Sequence, residues 1–134
     1  MRRRQFLSLL WSLPCLLALT CGTRAAEPVD LSGKWHGTWK SCDTGHHGPL
    51  NATFCKVNDS CYQVRFTGRF FVAVPFRFTV HLAVTGQEDG KVYLSGSPQL
   101  PLFGTFHFDA VATDNEFSAT YSARNDQGRF HLCR

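Results

Sequence analysis

The sequence predicts an all-β protein, a small eight-stranded antiparallel barrel whose strands run up and down in chain order. Eight segments alternate apolar with polar residues, which is the period of a strand that is buried on one face. Turn residues separate these segments, and no stretch has the period of an amphipathic helix. These observations define the fold class.

The predicted strands are short and are joined mostly by short connections. Closing such a meander into a barrel pairs both edge strands and buries every apolar face at once. A two-sheet β-sandwich satisfies the same pattern and stays open as the alternative. The predicted strands span residues 31–41, 49–57, 61–69, 75–85, 91–97, 102–111, 116–123 and 128–133.

Each predicted strand has one apolar face because successive side chains of a strand point in opposite directions. The other face carries mostly Lys, Arg, His and Thr. In chain order, the predicted inward residues are Gly33, Trp35, Gly37, Trp39; Leu50, Ala52, Phe54; Tyr62, Val64, Phe66; Phe76, Phe78, Val80, Leu82, Val84; Val92, Leu94; Leu102, Phe106, Phe108; Phe117, Ala119, Tyr121; Phe130 and Leu132.

The first residues predict a cleavable secretory signal peptide, residues 1–25, before a single β-barrel domain, residues 26–134. Three arginines follow Met1, an apolar run spans residues 6–19, and small residues precede a cleavage point after Ala25. The run is too short for a transmembrane helix, which needs about 20 apolar residues. We therefore expect an exported protein, periplasmic or extracellular, with no transmembrane segment in the mature chain.

The export route stays open between several interpretations. Arg3-Arg4-x-Phe6-Leu7 resembles the twin-arginine signal, and Arg24 near the cleavage point is typical of that pathway. An ordinary signal with three arginines fits as well. A lipid anchor on Cys21 is disfavoured because Thr20, rather than a smaller residue, precedes it. An uncleaved anchor is the remaining alternative.

The signal carries the positive charge of the chain. The formal net charge is +4, and four arginines but no acidic residue lie within residues 1–25. The remaining chain is therefore neutral overall. Binding of nucleic acid or of an anionic membrane through bulk charge is not expected.

Leu31-Ser32-Gly33-Lys34-Trp35 resembles the Gly-x-Trp opening of the calycin superfamily, which includes lipocalins, fatty-acid-binding proteins and avidins. The resemblance implies a barrel in which an Arg or Lys near the chain end covers this tryptophan. Arg129 and Arg134 are the two candidates. The later tryptophans of an avidin biotin site are missing, so the resemblance implies no particular ligand.

The loops at the two ends of the predicted barrel differ in character. Loops 57–60, 86–90 and 112–115 are polar, whereas 70–74 and 98–101 at the other end are largely apolar. Since loops are normally polar, the apolar loops predict a mouth for a small apolar ligand or a surface that docks on a protein or envelope partner. Loops that fold inward and plug the barrel are the third interpretation. The candidate ligand-binding residues are Trp35, Trp39, His46, His47, Phe71, Leu100 and Tyr121.

The sequence holds no Gly-x-Ser-x-Gly, phosphate-binding Gly-rich loop or His-Glu-x-x-His motif. We therefore expect a protein that is not an enzyme and that needs no cofactor. His46-His47, near Cys42 and Asp43, has the chemistry of metal ligands. A solvated turn is the interpretation we favour there, so no metal site is predicted.

Four cysteines follow the signal: Cys42, Cys55, Cys61 and Cys133. Export permits disulfides, and two of these cysteines flank the loop of residues 56–60. Both point outward from adjacent strands. We therefore predict a Cys55–Cys61 disulfide.

Overall fold

The computed structural model describes residues 29–70, 74–100 and 104–134, which form ten antiparallel strands. Eight of them close into a barrel in the order β1-β10-β9-β8-β5-β4-β3-β2. This confirms the predicted up-and-down barrel and excludes the sandwich. The strands are β1 Gly33–Ser41, β2 His47–Asn58, β3 Cys61–Phe70, β4 Val74–Glu88, β5 Lys91–Gly96, β6 Gln99–Leu100, β7 Gly104–Thr105, β8 His107–Ala112, β9 Glu116–Ser122 and β10 Gln127–Cys133.

The barrel closes where β1 pairs with β10, in a register that runs from His36 opposite Cys133 to Ser41 opposite Gly128. Gly37 makes this closure sterically feasible. A Cβ at this position would overlap the backbone carbonyl of His131, which no side chain could tolerate. A glycine in a strand is typical of such close backbone approach.

The sixth predicted strand, residues 102–111, is wrong in its first half. Gly104 and Thr105 there belong to β7, which pairs with β6 in a separate two-stranded sheet, and the barrel strand β8 begins only at His107. Pro98 lies at the start of this irregular segment, and proline has no N–H to donate to a sheet ladder. The backbone N–H of Phe106 instead donates to the carbonyl of Pro98 at 3.0 Å.

One end of the barrel, which we call the closed end, is filled by its own side chains. Trp35 is fully buried and packs on Phe54 and Phe117, with ring centroids 5.6 and 6.4 Å away. Its Nε1 donates to the carbonyl of Leu31 at 2.9 Å, and the Leu31 N–H donates to the hydroxyl oxygen of Tyr62. The chain before β1 thus seals this end.

Arg134 covers Trp35 from outside, with its guanidinium carbon 4.4 Å from the ring centroid. This is the contact that the calycin resemblance implies, and Arg134 rather than Arg129 makes it. Arg129 points outward from β10 and is exposed. The Arg134 guanidinium also donates hydrogen bonds to the backbone carbonyls of Ser32, Asp30 and Asp114, at 2.8, 2.6 and 2.6 Å.

The predicted Cys55–Cys61 disulfide is wrong in this structure, where all four cysteines of the described residues are free. Cys55 lies opposite Gln63, which is two residues from Cys61 along β3. The two thiols are therefore diagonal rather than facing. Diagonal positions on adjacent strands lie about 7–8 Å apart, beyond the usual reach of a disulfide.

The predicted signal peptide, residues 1–25, and Cys21 lie outside the described residues. Within residues 29–70, 74–100 and 104–134, no helix is long and apolar enough to cross a membrane.

We expect Arg134→Ala to lower the free energy of unfolding by about 1–3 kcal/mol, because the cation–π contact and the carbonyl hydrogen bonds are lost together. Urea denaturation followed by tryptophan fluorescence measures this. The matched control is Arg129→Ala, which should change stability by less than about 0.5 kcal/mol because the side chain is exposed. Equal losses in the two variants would contradict the proposed role of Arg134.

Candidate functional site: an aromatic cavity at the open end

The end of the barrel opposite Trp35, which we call the mouth, contains a cavity of about 370 Å³. Aromatic rings form most of its wall, and polar residues of the β9–β10 turn lie at its rim. The described residues that line it are Trp39, Phe70, Phe76, Arg77, Phe78, Leu100, Phe106, Phe108, Tyr121, Ala123, Arg124, Asn125, Asp126 and Phe130.

Alternation along the strands places these rings inside the barrel. Phe76 and Phe78 are two residues apart on β4, so both point inward. Their rings are nearly parallel, at 17°, and Phe78 is tilted by only 18° from Phe108 on β8. Phe106 lies at 19° to Phe108. Each of these three neighbouring ring pairs in the cavity wall is therefore nearly parallel.

Three aromatic residues near the mouth lie directly opposite glycines on the neighbouring strand. The cross-strand pairs are Trp39 with Gly48, Phe76 with Gly68 and Tyr121 with Gly128. A Cβ on any of these glycines would come within 3.0 Å of its partner's side chain. Each aromatic side chain thus lies over its glycine, against the wall.

Trp39 is held in place at both edges of its ring. Its Nε1 donates to the backbone carbonyl of Arg69 at 3.1 Å, which satisfies the polar atom of the indole. Phe70 and Phe76 pack edge-on against it, with centroids 5.3 and 6.2 Å away. The cavity therefore meets an apolar surface here, with the indole N–H already engaged.

The barrel wall is incompletely paired beside the mouth. β4 pairs with β3 from Val74 to Ala83, but its pairing with β5 covers only Ala83 to Glu88. In the described chain, the first half of β4 therefore has a ladder partner on one edge only. Leu100 of β6 and Phe106 contribute to the cavity wall instead of a strand.

A polar network lies at one side of the cavity. The hydroxyl of Tyr121 donates to Oδ2 of Asp126 at 3.0 Å, and the Ser41 hydroxyl donates to its Oδ1 at 2.5 Å. Ser41 is buried, and its oxygen accepts the backbone N–H of Thr44. Burial raises the pKa of Tyr121 well above its ordinary value, and the neighbouring Asp126 carboxylate raises it further.

The structure brings only some of the predicted site residues together. Trp39, Leu100 and Tyr121 line the cavity. Trp35 does not, which corrects its assignment to the site: it lies deeper on β1, in the sealed closed end. Phe71 lies outside the described residues.

His46 and His47 are exposed at the β1–β2 turn and do not line the cavity, which corrects their assignment as well. They face solvent because β2 begins at His47, so its inward positions start at Gly48. Among the described residues, no group of three or more His, Cys, Asp or Glu side chains is arranged to hold a metal ion.

Several cavity residues were absent from the sequence-based site, namely Phe76, Phe78, Phe106, Phe108, Phe130, Arg77, Arg124 and Asp126. The alternation pattern does point all five phenylalanines inward, so their position along each strand was the missing information. The sequence alone indicates only that Asp126 is an ordinary turn residue. Its contact with Tyr121 depends on the register of the β9–β10 hairpin, where Gly128 lies opposite Tyr121.

The fold is similar to that of a de novo designed fluorescence-activating β-barrel, with a TM-score of 0.54 at 11% identity. The match covers 77% of this chain and 92% of the designed chain. The likeness is one of fold. No family model matches the chain, and no curated protein matches it in sequence.

We expect the stability of the protein to fall as the pH rises above 10, the ordinary pKa of tyrosine. Tyr121 keeps its proton in the folded state at a pH where the unfolded chain has released it. Its contribution to the stability of the folded state is therefore complete below pH 10 and is lost above it. Thermal unfolding of the wild type and Tyr121→Phe, from pH 8 to about pH 11, measures this.

Tyr121→Phe should lose less stability over that range, whereas the exposed control Tyr93→Phe should follow the wild type. Parallel curves for the wild type and Tyr121→Phe would contradict the assignment.

Proposed function

We propose that this chain is an exported, non-enzymatic barrel that binds a small apolar ligand in the cavity at its mouth. The observation that carries the proposal is an aromatic-walled cavity of about 370 Å³ above a closed end that is filled by side chains. Cavities that bind small molecules are typically about 300–1,000 Å³, mostly apolar and lined by a few polar groups. This cavity lies within that range.

The pairing of aromatic residues with glycines supports a cavity built to stay open. Phe76 lies over Gly68 and Tyr121 over Gly128, so these side chains rest against the wall instead of meeting at the centre. A barrel of eight strands is otherwise just wide enough for side chains to fill. The open cavity at the mouth therefore favours ligand binding over the alternative, a solid barrel that docks through its loops.

The relationship to calycins and the export of the protein are parts of the same proposal. The stacking of Arg134 on Trp35 supports the first, since the resemblance of the first strand implied such a contact. The basic and apolar pattern of residues 1–25 supports the second. A binding protein that leaves the cytoplasm would meet its ligand in the periplasm or outside the cell.

A neutral fluorescent probe, N-phenyl-1-naphthylamine, tests the proposal on the purified protein. We expect its emission to rise on binding, with a dissociation constant in the micromolar range. Ala123→Trp, which places a large ring at the rim of the cavity, should weaken binding at least about tenfold.

Ala83→Trp is the matched control. It adds the same ring to the exposed face of β4, away from the cavity, and should leave probe affinity within about twofold of the wild type. Thermal melts establish that both variants are folded. No rise in emission with the folded wild type, or equal affinities in all three proteins, would exclude binding in this cavity.

A further inference from the structure

Charge is distributed unevenly around the outside of the barrel. Stretches of the four strands β1 to β4 contain no Asp or Glu, namely residues 34–40, 49–55, 63–69 and 75–81. We call the outward side chains of these stretches the basic face. Its positively charged members are Lys34, Lys40, Arg65, Arg69 and Arg77, and His36 and His81 lie among them.

The arginines of the basic face point away from the interior because side chains alternate along a strand. Arg77 lies between Phe76 and Phe78, both of which point into the barrel, so its own side chain points outward. On β3, Arg65 and Arg69 lie on the outward side of the same alternation. All three arginines are exposed to solvent.

The register of β3 on β4 sets the spacing of these three arginines. Thr67 lies opposite Arg77, and it is two residues from both Arg65 and Arg69. Arg77 is therefore diagonal to each of the other two arginines, at about 7–8 Å. Along β3, Arg65 and Arg69 are about 13 Å apart. One small anion cannot contact all three side chains at such spacing, whereas a chain with repeated anionic groups can.

The protein itself does not neutralise the basic face. The ion pairs among the described residues involve none of its Lys and Arg side chains. On the other side of the barrel, by contrast, charges of both signs occur together, since Asp109 and Arg129 both lie opposite Thr120. Uncompensated charges of one sign concentrate counter-ions and steer charged partners to the surface.

The uncharged residues of the basic face indicate the kind of polyanion. Threonine and amide side chains lie between the charged ones, and each can donate and accept hydrogen bonds. The outward positions of the basic face hold no Phe, Tyr or Trp on which nucleic-acid bases could stack. They also hold no Leu, Ile or Met that could enter a membrane. Its polar members are Thr38, Asn51, Thr53, Gln63, Thr67 and Thr79.

We propose that the basic face binds an acidic polysaccharide, a glycan chain with repeated sulfate or carboxylate groups. The guanidinium groups hold the anionic groups, because they present several N–H donors in a planar arrangement that suits oxyanions. The threonine and amide side chains form hydrogen bonds with the sugar hydroxyls. Since this surface is on the outside of the barrel, the inference goes beyond the proposed function and does not depend on it.

Binding of heparin, a sulfated polysaccharide, to the purified protein tests the inference by isothermal titration calorimetry. At about 50 mM salt we expect a dissociation constant in the micromolar range. In about 0.5 M salt the affinity should fall at least about tenfold, because salt screens exposed charges and opposes the release of counter-ions. Neutral dextran should not bind at either salt concentration.

Substitutions of equal charge locate the binding surface. Arg65→Gln and Arg77→Gln should each weaken heparin binding about threefold at low salt, and the double variant about tenfold. The matched control is the double variant Lys91→Gln/Arg124→Gln, which removes the same charge from exposed residues outside the basic face. It should keep its affinity for heparin within about twofold of the wild type. Thermal melts establish that every variant is folded.

A single-stranded oligothymidylate and vesicles of phosphatidylcholine with phosphatidylglycerol complete the test, at the same concentration of negative charge. We expect both to bind more weakly than heparin. Tighter binding of either one would overturn the assignment to a polysaccharide. Failure of the folded wild type to bind heparin at low salt, or equal losses in the two double variants, would overturn the basic face as a binding surface.

Discussion

Closure of β1 on β10 is the constraint on which the rest of the structure depends. It pairs the first strand with the last, so that every strand of the described barrel has neighbours on both sides and every apolar face points to one interior. The closure requires Gly37, because the backbone of β10 passes where a side chain would lie. Once closed, the barrel has two ends, and their different fillings create the candidate site.

The surroundings of Trp35 and Trp39 show how the two ends of the barrel differ. Both lie on the inward face of β1, and both donate their indole N–H to a backbone carbonyl. Trp35 lies opposite Ala52 and is enclosed by rings, by the segment before β1 and by Arg134. Trp39 lies opposite Gly48 and rests against the wall. One end is therefore filled and sealed, while the other leaves apolar side chains around an open cavity.

Much of the fold could be predicted because strand alternation is a local property. The inward residues of β1 to β5 follow from a period of two, whatever the strands pair with. The residues of the candidate site were harder to predict from the sequence. His46 and His47 attract attention as chemistry-bearing residues, yet they lie outside the cavity. Trp35 and Trp39 differ in their position along the barrel axis, and that position depends on the register in which the strands pair. The Cys55–Cys61 prediction failed for the same reason, since the register of β2 on β3 places Cys55 opposite Gln63 and leaves the two thiols diagonal.

The sequence by itself determined the all-β class, the number of barrel strands, the face that each strand buries and the contrast between polar and apolar ends. These follow from the order of residues along the chain, because alternation and turn chemistry are encoded over a few neighbouring positions. Only the tertiary structure decided that Tyr121 meets Asp126, that aromatic rings lie over glycines and that an open space remains at the mouth. Those features join residues that are distant in the chain or lie on different strands, so their positions were settled when the strands paired in one register.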